Sequence, residues 1–79
     1  MNSEEIFNGL KEVIGTVKPK LDLSNVTLDS NLVRDLGVDS LSMLLMSLAT
    51  EQKFNIQFDT QVQFQTVRDV VDYISKSIR

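Results

Sequence analysis

The sequence predicts an all-α fold, a four-helix bundle with a long first loop and a short third helix. Three observations point there: apolar residues recur at three- and four-residue spacing toward both ends of the chain, cap-forming residues stand where those runs begin, and the one alternating segment has no convincing partner strand. With 79 residues and 42% hydrophobic content, the chain fits one domain spanning residues 1–79.

The first helix is expected over residues 4–17, where Ile6, Phe7, Leu10, Val13, Ile14 and Val17 form an apolar stripe. Asn2 followed three residues later by Glu5 reads as a capping box, and Lys18 and Pro19 end the helix. Gly9 and Gly15 weaken it, so packing must supply the difference. From Lys20 to Asp39 no period is sustained, and Asp22, Ser24, Asn25, Asp29, Ser30 and Asn31 favour turns. The segment reads as a long ordered loop anchored by Leu21, Leu23, Val26, Leu28, Leu32, Val33 and Leu36. A second helix should open at Asp39-Ser40, just after Gly37, and run to about Lys53. Residues 54–58 alternate apolar and polar, and we read them as an extended connector with Ile56 and Phe58 turned inward. Thr60 can cap a short helix through Phe64. Thr66 with Asp69 then opens a last helix whose Val67, Val70, Val71, Ile74 and Ile78 keep helical spacing.

Composition excludes a good deal. With no Cys and no His, the chain has no disulfides, thiol nucleophiles, Ser-His relays or imidazole metal ligands. A formal charge of −3 opposes binding to nucleic acid, and no apolar run approaches the length of a bilayer span. The N-terminus starts with acids, unlike a basic signal region, so the expectation is a soluble, cytoplasmic monomer.

The informative stretch is Asp35-Leu36-Gly37-Val38-Asp39-Ser40-Leu41. A serine at the start of a helix is explained by capping alone, a role typically worth ~1 kcal/mol. The longer motif, with the long loop before it, Phe54-Asn55-Ile56 after it and Val70-Val71-Asp72-Tyr73-Ile74 near the end, resembles the acyl carrier protein family over essentially the whole chain. That resemblance implies that Ser40 receives 4'-phosphopantetheine from coenzyme A. A phosphopantetheinyl transferase would do this, with Asp39 helping to hold the transferase's magnesium. No side chain here is an obvious base for Ser40, which agrees with modification by a separate enzyme. A helix N-terminus also suits the phosphodiester.

The helix after the serine departs from the family. On a wheel of ~100° per residue, Leu41, Leu44, Leu45 and Leu48 lie together, opposite Met43, Met46, Ser47, Thr50 and Phe54. Periodicity alone would make the leucines core. The resemblance implies the reverse, with Met46, Thr50 and Phe54 inward and the leucines toward partners, Leu45 and Ser42 standing at commonly acidic positions. We expect the family's orientation. Asp35 and Glu51 are candidate partner-binding residues beside the stripe, and residues 35–59 carry four acids against one lysine. The expected function is a non-catalytic carrier that presents acyl thioesters to fatty-acid or polyketide-type enzymes, among them an acyltransferase, ketosynthase or ligase-type enzyme. An aminoacyl or peptidyl carrier of nonribosomal peptide or D-alanyl type, or an unmodified helical adaptor, are the alternatives.

Overall fold

The computed structural model describes residues 2–58 and 64–78. Among these the architecture is all-helical: α1 (Ser3–Val17), a 3₁₀ turn (Leu23–Asn25), α2 (Ser40–Phe54) and α3 (Val67–Ser77). The expected short helix opening at Thr60 lies outside the described residues, and Phe64, its expected last residue, is not helical.

Helix α1 starts where its capping box places it. The Glu5 amide donates to Asn2 Oδ1 at 2.8 Å, and Glu5 Oε1 accepts from the Asn2 amide at 3.4 Å. Ile6, Leu10, Val13 and Ile14 are buried, and this face packs against both α2 and α3, so α1 is the element on which the other helices are mounted. At Gly9 the approach of α2 is close: a Cβ there would stand 2.7 Å from Phe54 Cζ. Its absence of a side chain is a packing requirement and not merely a weakness of the helix.

The segment between α1 and α2 is ordered, as its apolar anchors suggest. Val26, Leu32, Leu36 and Val38 are buried, and Leu21, Leu23 and Leu28 pack partly against the core. Val33 is the exception, an expected anchor that is 61% exposed because it sits on the outer side of the turn before Gly37. The loop is tied to the start of α3 by an antiparallel bridge between Asn31 and Thr66. There the Leu32 amide donates to Gln65 O at 2.9 Å, Val67 to Ser30 O at 3.1 Å and Arg68 to Leu28 O at 2.8 Å. Loop carbonyls thereby satisfy the first two amides of α3, and Thr66 Oγ1 accepts from the third, Asp69, at 3.3 Å. The Arg68–Asp29 ion pair, at 2.8 Å, lies over the same junction.

Helix α3 buries Val67, Val70, Val71 and Ile74, as its spacing requires. Helix α2 ends at Asn55 in the left-handed region (φ 54), whose amide donates to Glu51 O. Beyond it, Ile56 and Phe58 are partly buried against the core. Phe58 stacks on Tyr73 with ring centroids 5.0 Å apart, and the Tyr73 hydroxyl donates to Gln57 O at 3.2 Å. The extended reading of the connector therefore describes its packing as well as its path.

Candidate functional site

The rotation of α2 decides what the molecule offers to a partner. Met46, Thr50 and Phe54 are 3%, 1% and 7% exposed, whereas Leu41, Leu44, Leu45 and Leu48 are 66%, 55%, 45% and 50% exposed. The leucine stripe is therefore surface, and the orientation that periodicity alone would have assigned is reversed. One contact fixes the rotation: Phe54 is wedged against Gly9 of α1. The buried Thr50 hydroxyl, which would be costly unpaired, is satisfied within α2 by donating to Met46 O at 2.6 Å, which lets Thr50 face the core. Ser42 also turns inward and is buried, so it is not part of the outer face despite standing where relatives often carry an acid.

At the N-terminus of α2 the cap belongs to Asp39, not Ser40. Asp39 has an extended backbone, and its Oδ1 accepts from the Ser42 amide at 2.8 Å. That amide, with a further contribution from the Ser42 hydroxyl and a weaker one from the positive charge of Lys18, holds the Asp39 carboxyl below its ordinary value. Ser40 is the first helical residue, and its side chain is exposed. Among the described residues, no group accepts from the backbone amides of Ser40 or Leu41. This contrasts with α3, whose corresponding amides are filled by loop carbonyls.

The turn leading into this corner is built to expose it. Asn31 Oδ1 accepts from the amides of Val33 and Arg34 at 3.0 and 2.8 Å, and Asp35 Oδ2 accepts from the Asn31 amide at 2.7 Å. Gly37 then adopts φ +67, which reverses the chain and lets the Val38 amide reach Leu32 O at 2.9 Å. Nothing lies within 4 Å of the Gly37 Cβ direction, so its positive φ, and not lack of space, is what favours glycine there.

The fit to a phosphodiester-linked group is direct: an exposed serine and, beside it at the helix N-terminus, two amides from which no described group accepts. The chain matches, over residues 8–74, the family described as phosphopantetheine attachment site. The chain belongs to the phosphopantetheine-attachment family. Its relatives within that family extend over nearly its full length. It is 42% identical over 74 residues to an acyl carrier protein of Aster yellows witches'-broom phytoplasma, covering 91% of this chain and 96% of that protein. It is 36% identical over 80 residues to one of Guillardia theta, covering 99% and 98%. A meromycolate extension acyl carrier protein of Mycolicibacterium smegmatis is 40% identical over 75 residues, covering 92% of this chain and 75% of that protein.

Of the residues singled out by sequence, the fold brings Asp39, Ser40 and the four leucines onto one end and one face of α2. Asp35 and Glu51 each accept a backbone amide through one carboxylate oxygen. Glu51 Oε2 accepts from the Phe58 amide at 2.7 Å and so fixes the connector, a role that no local sequence signal discloses because the two residues stand seven apart. Ser40 borders neither of two surface clefts among the described residues, one bordered by Leu21, Asp29 and Arg34 and the other by Gln52, Ile56 and Phe58. Met46 and Thr50, on the inner face of α2, border neither of them. No described helix is long and apolar enough to cross a membrane.

Proposed function

We propose that this chain is an acyl carrier whose Ser40 bears a 4'-phosphopantetheine arm and whose α2 presents the cargo to biosynthetic enzymes. The observation that carries the reading is the pairing of the exposed Ser40 at the first position of α2 with the family match that spans it. When bound, the group supplies a thiol that holds the cargo as a thioester, the reactive sulfur that a chain with no Cys lacks. The chain's own residues position and do not catalyse. Asp39 stays ionised at neutral pH and is suited to help hold a transferase's magnesium, while its Oδ1 keeps the first turn of α2 in register. Neither Asp39, whose Oδ1 is committed to the Ser42 amide, nor any other described side chain is hydrogen-bonded to the Ser40 hydroxyl as a base would be. Proton removal therefore falls to the phosphopantetheinyl transferase.

Tethering keeps a reactive acyl group at high effective concentration before successive active sites. Leu41, Leu44, Leu45 and Leu48 are the partner-facing residues, with Asp35 and Glu51 on their flank. The partners are a phosphopantetheinyl transferase and enzymes of acyltransferase, ketosynthase or ligase type. A four-helix bundle, a monomeric state and a cytoplasmic location belong to the same reading. The names of the relatives favour acyl over aminoacyl cargo.

Intact-mass analysis of the chain isolated from its own cells tests this. The expected result is one phosphopantetheine plus a further acyl mass that hydroxylamine removes. A hydroxylamine-labile mass containing an amino group would transfer the reading to an aminoacyl carrier, and an unmodified chain would leave an adaptor.

A further inference from the structure

Modification of Ser40 adds a phosphodiester, and with it a negative charge, beside a carboxylate that cannot give way. Asp39 precedes the serine, its Oδ1 accepts from the Ser42 amide at 2.8 Å, and that bond favours its ionised form. Neither protonation nor a swing of the side chain relieves the repulsion without giving up the cap of α2. A cation at this corner relieves it at no such cost.

The fold brings one there from α1. Gly9 and Glu12 meet Phe54 and Lys53 at the far end of α2, so α1 runs back toward the end that carries Ser40. Lys18 follows the last residue of α1 and opens a turn in which the Leu21 amide donates to Lys18 O at 3.0 Å. Leu21 borders the same cleft as Asp35 and Leu36, which lead into Asp39 and Ser40. The charge of Lys18 is felt at the Asp39 carboxylate. Yet its ammonium is in neither of the ion pairs among the described residues, Lys53–Glu12 and Arg68–Asp29. Resting on the reading of Ser40 as the attachment residue, we propose that Lys18 pairs with the arm's phosphodiester, offsets its charge beside Asp39 and draws the root of the arm toward the end of α1.

The test compares the unmodified chain with the fully modified one, prepared with a phosphopantetheinyl transferase and coenzyme A, kept reduced and checked by intact mass. In wild type, modification should move the Lys18 ε-methylene resonances and leave those of Lys11 and Lys20 in place. It should change the wild-type melting temperature by less than about 1 °C, whereas modified Lys18→Gln should melt about 2–4 °C below its unmodified form. Lys18→Arg should restore the wild-type response, Lys20→Gln should match wild type, and about 500 mM NaCl should remove at least half of the Lys18→Gln deficit. Unmoved Lys18 resonances, an equal response to modification in wild type and Lys18→Gln, or the same deficit in Lys20→Gln overturns the proposal. The resonances are read on wild-type protein, so they decide the matter whether or not a variant folds. If wild type gains no mass at all, the reading of Ser40 fails; if it is fully modified and Lys18 does not respond, only the pairing fails.

Discussion

Because α2 shows apolar residues on both sides, paired substitutions on its two faces give the sharpest check of how it is seated. Met46→Ala truncates a side chain that is 3% exposed, and the loss of transfer energy plus the residual cavity should cost about 2–5 kcal/mol. Against a total of about 4–12 kcal/mol for a chain of this length, that is a large fraction. At about 4–8 °C per kcal/mol, the melting temperature followed by far-UV circular dichroism should fall by at least about 8 °C. Leu45→Glu places a good helix former at a site already 45% exposed, so its cost should stay within about 0.5 kcal/mol, a shift under about 4 °C. If Leu45→Glu destabilises more than Met46→Ala, the leucine stripe is core and the seating of α2 described above is wrong.

Two further outcomes follow from the caps and the close contacts. Asp69 Oδ2 accepts from the amides of Gln65 and Thr66, which holds its carboxyl below the ordinary 3.8. Its contribution is thus complete above that value and lost as pH falls through the lower folded one. The difference in melting temperature between wild type and Asp69→Ala should be constant from about pH 7 to 5 and shrink below about pH 4; a constant difference down to about pH 2 would refute the assignment. Gly9→Ala should lower stability despite its better helix propensity, because the ~1 kcal/mol gained is outweighed by about 1–3 kcal/mol of overpacking against the Phe54 ring. A raised urea midpoint would show that the ring gives way.

Features that depend on neighbours three or four residues apart were legible in the sequence. The capping boxes of Asn2–Glu5 and Thr66–Asp69 and the inward stripes of α1 and α3 are of this kind, since hydrogen bond and period are both local. Helix α2 resisted the same treatment. Its leucines outweigh Met46 and Phe54 in any count of apolar residues by face, and only the family resemblance indicated the orientation that Gly9 and Phe54 enforce. Asp39 and Ser40 are both good caps, so composition could not say which of them would bond the Ser42 amide. Val33 was indistinguishable from the anchors around it until the turn at Gly37 placed it outside. The tasks of Glu51 and Gly9 depend on residues distant in the chain, Phe58 and Phe54, and leave no mark in a one-dimensional pattern.

The claim on which the account turns is that Ser40 carries the arm, and intact-mass measurement after incubation with coenzyme A and a phosphopantetheinyl transferase addresses it directly. Wild-type protein should gain one phosphopantetheinyl group. Ser40→Ala should gain none while keeping its helical circular dichroism, because the cap of α2 rests on Asp39. The remaining serines of α2 serve as internal controls: Ser42 is buried, and the Ser47 hydroxyl donates to Met43 O at 2.9 Å. Labelling that persists in Ser40→Ala would contradict the assignment.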